Sequence, residues 1–313
     1  MTFSNRVPPH AEINPLSRAI ASLHAAGARI IDLTESNPTI VGLDYPADWL
    51  DVLGAEHVLR YAPQSLGLAL AREAVAADYA RRGARVDPAQ VVLSASSSEA
   101  YSWLFKLLCN PGEAVLVLQP SYPLFEHLTR LEAVQAIPYH LRYYGRWEID
   151  FDSVSAAPSH VRALLLVSPN NPTGSFVSSE EARSLAEMCR SRGWAIVADE
   201  VFADYPLDVT DAPTESVMNL DVLSFTLGGA SKSLGLPQVK LGWTIVGGPA
   251  SERARALAAL EIIADAFLSV VESRRTWGKR GRSCAGIHRA RCCRSRAGGL
   301  SSRESPLTAP KRP

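Results

Sequence analysis

The segment Asp221–Trp243, DVLSFTLGGASKSLGLPQVKLGW, holds Lys232 between two apolar runs, Val222–Thr226 and Gly242–Val246. Short apolar runs of this kind are typical of buried strands. Small residues precede the lysine and a Gly-Leu-Pro turn follows it, so the chain passes tightly from one predicted strand to the next. A lysine held in such a turn has its amine in a fixed place, where it can do chemistry. An ordinary lysine on a surface loop explains the same segment, and the segment alone leaves both interpretations open.

The composition predicts a soluble protein with a substantial core. Of its 313 residues, 47% are hydrophobic, enough for one large domain or for a large and a small one. The N-terminus is polar and contains two prolines, unlike a signal peptide, and no apolar run approaches the ~18 residues of a membrane helix. The five cysteines lack metal-ligand spacing. A reduced, cytoplasmic setting is therefore expected, with no membrane partner and no metal.

The formal charge of zero conceals two different compositions. Residues 272–313 contain ten arginines and two lysines against two glutamates, which leaves residues 1–271 with a balance of −10. The last segment has almost no apolar periodicity and is expected to be a disordered basic tail. Either a frameshift in a GC-rich gene or a genuine basic tail would explain it. The tail lacks interleaved aromatic residues and any recognisable nucleic-acid-binding module, so no nucleic-acid partner is predicted.

Two helices are predicted in the first quarter of the chain. One covers Pro15–Ala26 and ends at Gly27, a usual helix-ending residue. The other ends at Gly83 and carries apolar residues at helical spacing. These residues are Leu70, Ala74, Ala77 and Tyr79.

From residue 90 onward, short apolar runs alternate with helical segments. Such runs between helices imply a parallel sheet that is covered by helices on both faces. The predicted fold class is therefore α/β, a three-layer sandwich with a mostly parallel central sheet. Ala133–Leu141 resembles an edge or crossover strand of this sheet. The other predicted strands are Val91–Leu93, Ala114–Leu118, Ala163–Val167, Trp194–Ala198, Val222–Thr226 and Trp243–Val246.

Polar residues follow several of these strands, where the ligand crevice of a parallel sheet lies. Ser96-Ser97-Ser98 precedes a helix, and it either cradles a phosphate or simply caps that helix. Tyr122 is either a ring stacked on a planar ligand or a core tyrosine. Asp199 ends a buried run, so its carboxylate needs a protonated ring nitrogen, a structural salt bridge or a helix cap as partner. Asn170-Asn171 opens a polar Pro-Thr-Gly turn.

Together these features fit pyridoxal phosphate. A phosphate cradle, a stacking ring and an amide would hold the group in place. A buried aspartate would keep its pyridine nitrogen protonated, and a lysine would form a Schiff base with its aldehyde. The predicted cofactor is therefore pyridoxal 5′-phosphate, and Lys232 is the predicted catalytic residue.

The chain resembles the class I/II aminotransferases, which are pyridoxal-phosphate enzymes of fold type I. The matching motifs occur in the family's order over about residues 30–270, and the ordered set is far more specific than any single motif. The motifs are Ile31–Pro38, Tyr61 with Gly67, Ser96–Ala100, Pro120–Pro123, Asn170–Gly174, Asp199-Glu200 and Ser231-Lys232.

The resemblance also implies how the chain is divided. Residues 1–40 would form an N-terminal arm and part of a small domain. Residues 41–271 would form the large domain that binds the cofactor, and residues 272–313 the basic tail. The small C-terminal domain of the family, with the arginine that grips the substrate's carboxylate, would be largely missing.

Each residue that matches a family motif receives a role by this resemblance. Lys232 would be the Schiff-base lysine and the proton shuttle between the substrate's Cα and the cofactor. Asp199 would pair with the pyridinium, Asn171 with the ring hydroxyl, and Tyr122 would stack on the ring. The phosphate would be bound by Ser96, Ser97 and Lys240.

Further implied contacts concern the substrate and a second subunit. Ser36 and Asn37 would line the substrate pocket together with Asn171. Tyr61 would reach the phosphate that the neighbouring subunit binds, which implies a homodimer with shared sites.

Three positions depart from the family pattern. Phe202 stands where many members carry a tyrosine that donates to the ring hydroxyl, and phenylalanine cannot donate. Gly229 replaces a phosphate-binding hydroxyl of some relatives. Lys240 stands where the family often has arginine, so a bidentate clamp becomes a point charge.

The implied function is the transfer of an amino group between an amino acid and a 2-oxo acid. Two alternatives stay open. Similar sites in the same fold perform β-elimination or decarboxylation, and a chain without the small domain could be a catalytically impaired remnant that still binds the cofactor.

Overall fold

The computed structural model describes residues 4–7, 15–31, 37–48, 51, 63–206 and 217–267. Within them the chain forms an eight-stranded sheet with the strand order β1-β8-β7-β6-β5-β2-β3-β4. The strands are β1 Val91–Ser94, β2 Ala114–Gln119, β3 Gln135–Tyr143, β4 Trp147–Ile149, β5 Val161–Val167, β6 Ala195–Asp199, β7 Ser224–Gly229 and β8 Gly242–Gly247.

Helices precede the sheet and alternate with its strands. No helix in the described residues is long and apolar enough to cross a membrane. The helices are α1 Pro15–Ala25, α2 Ala69–Arg81, α3 Ser97–Leu108, α4 Leu124–Leu131, α5 Phe151–Ser155, α6 Ser179–Arg192, α7 Ala230–Ser233 and α8 Ala250–Asp265.

Most strands of the sheet point the same way. The pairs β3–β2, β2–β5, β5–β6 and β6–β7 are parallel. β8 is antiparallel to both β7 and β1, so β1 points in the direction of β7, and β4 is antiparallel to β3. The predicted mostly parallel sheet is confirmed. The carboxyl ends of β1, β2, β3, β5, β6 and β7 meet at one side, which we call the C-terminal edge.

Helices cover both faces of the sheet, as the three-layer prediction requires. Neighbouring residues of a strand point to opposite faces, yet both are fully buried. Leu165 belongs to a cluster with side chains of α3 and α8, whereas Leu164 belongs to one with side chains of α6. Burial on both faces explains why these strands appear as continuous apolar runs in the sequence.

The strand predicted as an edge or crossover strand is a crossover strand, joined to β2 through α4. β3 lies between β2, to which it is parallel, and β4, which forms the end of the sheet. Six of its nine residues are exposed, so its sequence lacks the continuous apolar run of a strand that is buried on both faces. β4 and α5 are short, so neither is long enough to show a recognisable period in the sequence.

The buried side of α2 differs in part from the prediction: Tyr79 is buried, but Leu70 is not. Ala71, Val75 and Tyr79 pack in a cluster with β1 and β8, whereas Leu70 is 44% exposed. Apolar residues occupy nine of the thirteen positions of this helix, and six of these nine are alanine, so the sequence does not distinguish one face from another. The predicted divisions of the chain at residues 40 and 271 stay predictions, and residues 272–313 lie outside the described residues.

The start of β8 lies very close to the loop that follows β1. A Cβ atom at Gly242 would be 2.8 Å from the backbone carbon of Ser96 and 3.0 Å from Oγ of Ser94. Because backbone atoms cannot swing aside, Gly242→Ala should lower the free energy of unfolding by about 1–3 kcal/mol, as measured by chemical denaturation. Gly229→Ala is the milder comparison, since its Cβ would lie 3.2 Å from the carbonyl oxygen of Leu241. Unchanged stability of Gly242→Ala would contradict this close packing.

Candidate active site

The structure brings most of the predicted site residues together at the C-terminal edge. β8 runs in the opposite direction, so Lys240, just before its first residue, returns to the same edge. These residues form a row along the C-terminal edge. The strand order gives their order in this row, from β1 through β8, β7, β6 and β5 to β2. The others are Ser96 and Ser97 after β1, Lys232 after β7, Asp199 at the end of β6, Asn171 after β5 and Tyr122 after β2.

Asp199 is a buried carboxylate in the middle of this row. The backbone N–H of Val201 donates to its Oδ1 and the hydroxyl of Tyr101 donates to its Oδ2, each at 3.1 Å. Burial raises the pKa of Asp199 from 3.8 to about 6, while these two hydrogen bonds and the charge of Lys232 act in the opposite direction. Burial therefore outweighs all three stabilising contacts, and a further cation beside the ionised group would offset part of the cost of its burial.

Lys232 lies in α7, the single helical turn that follows β7. The hydroxyl of Tyr205 donates to the backbone oxygen of Lys232 at 2.6 Å. Its Nζ lies 5.3 Å from the centre of the Phe202 ring, within range of a cation–π contact. The turn is closed by Gly235, which has φ +65° and whose Cβ would be 2.8 Å from Cδ1 of Leu43. The lysine is therefore anchored at its backbone and half-buried at its side chain.

The N-terminus of α3 forms the β1 end of the row. Ser96 is the N-cap: its Oγ accepts the backbone N–H of Glu99 at 3.1 Å. The carboxylate of Glu99 in turn accepts the N–H of Ala95 at 2.6 Å. The capping interpretation of this serine run is thus correct for the Ser96 side chain. The first backbone N–H groups of a 12-residue helix still point to the edge, where they favour an anion.

The turn after β5 holds two neighbouring asparagines in different surroundings. Asn171 is exposed, whereas Asn170 is buried. The Nδ2 of Asn170 donates to the backbone oxygen of Pro120 at 3.0 Å and to Oγ1 of Thr173 at 2.9 Å. Asn170 therefore ties this turn to the loop that carries Tyr122, whose ring is 47% exposed at the edge.

The remaining predicted residues are less constrained or lie outside the described residues. Lys240 is exposed and has a left-handed backbone with φ +53°. Asn37 is exposed, and its Oδ1 accepts the N–H and the hydroxyl of Thr39 at 3.0 and 2.7 Å. Ser36 and Tyr61 lie outside the described residues.

Comparison with known proteins agrees with the arrangement of residues at the C-terminal edge of the sheet. The family model described as aminotransferase class I and II matches residues 31–276. The chain belongs to this family. The resemblance inferred from the motifs is thereby confirmed, and so is the fold class of its members.

Named relatives of this chain are aminotransferases. The glutamate-pyruvate aminotransferase AlaA of Escherichia coli is 29% identical over 255 residues, which cover 80% of this chain and 62% of that protein. The alanine aminotransferase of Mycobacterium tuberculosis is 29% identical over 241 residues, 75% of this chain and 56% of that one. The chain thus spans less than two thirds of the length of these relatives.

Solved structures give the same fold. An Escherichia coli aminotransferase superposes with a TM-score of 0.74 at 26% identity, over 88% of this chain and 70% of that one. A single mutant of the aspartate aminotransferase of Thermus thermophilus has a TM-score of 0.77 at 21% identity, over 95% and 78% of the two chains. The second likeness concerns the fold alone.

The residues of this class I and II aminotransferase chain fit pyridoxal phosphate, the cofactor of the family. Asp199 is a buried acid that no arginine or histidine of the described residues pairs with, so a protonated ring nitrogen would offset the cost of its burial. The Oδ1 of Asn170 is buried without a hydrogen-bond partner among the described residues, beside the exposed amide of Asn171. A helix N-terminus and a lysine complete the set of groups that the cofactor requires.

Two residues that contact this row were not predicted from the sequence. Tyr101 and Asn170 both act by hydrogen bonds to groups far away in the chain, at Asp199 and Pro120. Tyr101 resembles any other apolar residue of the inward face of α3. Asn170 stands next to Asn171, and only the observed burial separates the two.

Proposed function

We propose that this chain is a pyridoxal-phosphate-dependent aminotransferase that moves an amino group between an amino acid and a 2-oxo acid. The observation that carries the proposal is the pair Lys232 and Asp199. They lie at the ends of adjacent parallel strands, close enough for the lysine charge to lower the pKa of the buried acid. This arrangement supports contacts of an amine and a buried carboxylate with two points of one small ligand.

Bound pyridoxal phosphate supplies an electron-withdrawing ring that stabilises negative charge at the substrate's Cα. Asp199 would keep the ring nitrogen protonated by pairing with it. Lys232 would hold the cofactor through Nζ and, once displaced by the substrate, take up the Cα proton at the same atom. Its Nζ faces the Phe202 ring, a surface that cannot compete for the proton.

The other residues of the row would bind and orient the cofactor. Tyr122 would stack on the ring, and Asn171 would donate to the ring hydroxyl. The phosphate would lie at the N-terminus of α3, near Ser96, Ser97 and Lys240. Asn37, Ser36 and Asn171 would face the substrate.

We also propose that the protein is a cytoplasmic homodimer in which Tyr61 contacts the phosphate of the neighbouring subunit. The family model covers the segment that contains Tyr61, which supports the dimer. The cysteine usage supports the cytoplasmic location. Sedimentation of the purified chain with and without cofactor tests the dimer.

The reaction is tested with L-alanine, L-glutamate or L-tyrosine and a 2-oxo acid, since relatives are named for glutamate–pyruvate, alanine and tyrosine transfer. An aminotransferase forms one new amino acid for each 2-oxo acid consumed. Release of ammonia would indicate β-elimination, and release of carbon dioxide would indicate decarboxylation. Formation of neither product nor new amino acid, with cofactor bound, would overturn the proposed transfer.

Lys240 provides a separate test of where the phosphate binds. Lys240→Gln should weaken binding of pyridoxal phosphate about five- to tenfold at low salt, because one point charge near the phosphate is lost. Binding of pyridoxal, which lacks the phosphate, should not change. Lys106→Gln is the matched control, since Nζ of Lys106 is paired with Glu132 at 2.6 Å and lies near the other end of α3. Equal losses for both ligands would contradict the assigned phosphate position.

A further inference from the structure

Tyr101 is a buried titratable residue that the proposed chemistry does not use. It is 2% exposed on the inward face of α3, and its hydroxyl donates to Oδ2 of Asp199 at 3.1 Å. Burial, followed by the charge of Asp199, raises the pKa of Tyr101 well above its usual value. The phenol therefore keeps its proton throughout the neutral range and always has a hydrogen to donate.

Aromatic packing fixes the direction of that hydroxyl. The Tyr101 ring lies edge-on against Phe125 at 5.1 Å and beside Phe105 at 5.9 Å. Phe125 in turn contacts the Tyr122 ring at 6.5 Å, also edge-on. The ring proposed to stack on the cofactor and the acid proposed to pair with it are thus linked through Phe125 and Tyr101.

Two donors from different directions define the plane of the Asp199 carboxylate. The Val201 N–H binds one oxygen and the Tyr101 hydroxyl binds the other. An ionised carboxylate can accept about four hydrogen bonds, so each oxygen keeps a lone pair for a further donor. Among the described residues, the charged and titratable groups that act on Asp199 are Tyr101 from α3 and Lys232 from α7.

We propose that Tyr101 is a positioning residue that holds Asp199 ionised and oriented towards the ring nitrogen of the cofactor. This inference rests on the proposed function, because it assigns Tyr101 a task in cofactor binding.

Removing the Tyr101 hydroxyl should shift the pH at which Asp199 ionises. The Tyr101 hydroxyl stabilises the ionised form of Asp199, because hydrogen bonds to charged groups are stronger than those between neutral groups. Tyr101→Phe should therefore raise the pKa of Asp199 by about one unit, from about 6 towards about 7. Cofactor affinity should then fall about fivefold near pH 6, where the variant without cofactor is mostly protonated at Asp199. Near pH 8, where Asp199 is ionised in both proteins before binding, the affinities should be nearly equal.

Tyr139→Phe is the matched control. Tyr139 is equally buried, but its hydroxyl donates to the backbone oxygen of Leu165 at 2.9 Å instead of to a carboxylate. Both variants lose one buried hydroxyl and keep the ring. Only Tyr101→Phe should change the pH dependence of the dissociation constant for pyridoxal phosphate. In an Asp199→Asn background, Tyr101→Phe should add no pH-dependent loss.

The experiment is a fluorescence titration of the full chain with pyridoxal phosphate between about pH 6 and pH 8, combined with ¹³C-carboxyl NMR of Asp199 in the cofactor-free protein. A pH-dependent deficit and a higher Asp199 midpoint in Tyr101→Phe alone are expected. If Tyr101→Phe and Tyr139→Phe behave alike in both measurements, the inference is overturned. If the unmodified chain binds no cofactor, the proposed function fails, and the NMR midpoint still decides whether Tyr101 holds Asp199 ionised.

Discussion

Replacement of Lys232 by alanine is expected to lower the rate of amino transfer by about a thousandfold or more, since it removes both the covalent anchor and the base at the substrate's Cα. Binding of pyridoxal phosphate should persist at reduced affinity, because Asp199 and the α3 N-terminus do not depend on the lysine. The measurement pairs a steady-state assay with borohydride reduction and mass spectrometry. The unmodified chain should gain the cofactor mass on the peptide that contains Lys232.

Lys106→Ala serves as the control for this substitution. Lys106 is ion-paired with Glu132 on the surface of α3, and its loss should leave the rate and the labelled peptide unchanged. Labelling of another lysine at full stoichiometry in the Lys232→Ala variant would show that the amine has been wrongly assigned.

Replacement of Asp199 by asparagine is expected to change stability and activity in opposite directions. Burial raises the folded pKa of Asp199 from 3.8 to about 6. The folded state therefore favours the protonated acid. The contribution of this protonated acid to the free energy of unfolding is lost as the pH rises through about 6. The loss amounts to about 3 kcal/mol at neutral pH and above, at 1.36 kcal/mol per unit of pKa. Asparagine carries no such penalty.

The resulting prediction is a difference that depends on pH. Between about pH 4.5 and pH 8, the free energy of unfolding of cofactor-free Asp199→Asn should rise by about 2 kcal/mol relative to the unmodified protein. Urea denaturation at the two pH values measures this change. The rate of transfer should fall at least about a hundredfold, because an amide cannot keep the ring nitrogen protonated.

This pair of results separates a ligand-binding role of Asp199 from the structural salt bridge that the sequence also left open. A carboxylate retained for a structural salt bridge would stabilise the cofactor-free protein, and its loss would cost stability near pH 8. A carboxylate retained for a ligand costs stability until the ligand binds. Lower stability of Asp199→Asn at about pH 8 would therefore contradict the ligand-binding role.

The parallel sheet was predictable because its strands are buried on both faces. Burial on both faces requires continuous apolar runs such as Ala163–Val167, and it places polar residues only where the strands end. The positions of Asp199 and Lys232 followed directly from those ends. The same reasoning failed for β4 and for the buried side of α2, where three residues or an alanine-rich pattern carry too little periodic information.

The site was predictable only where a residue's chemistry is unusual for its place in the chain. A carboxylate directly after a buried strand is such a case, and so is a lysine in a tight glycine-rich turn. Tyr101 is not, because a tyrosine on the inward face of a helix fits an ordinary core. Its contact with Asp199 joins residues 98 positions apart and depends on how α3 packs against β6.

Ser96 shows how one interpretation can be confirmed while the other stays a prediction. Its side chain caps α3, as the ordinary capping interpretation predicts. The helix that it caps nevertheless directs its N-terminus to the edge where Lys232 and Asp199 lie. Capping and anion binding use different groups of one helix end, so the sequence motif could not separate them.

The most direct test of the central claim is an absorbance spectrum of the purified chain with pyridoxal phosphate, recorded before and after addition of an amino acid. We expect a visible band that is absent in Lys232→Ala. The amino acid should bleach this band, and an equal amount of 2-oxo acid should be formed. A band that no amino acid bleaches would contradict amino transfer by this chain. The absence of any band that depends on Lys232 would contradict the cofactor site itself.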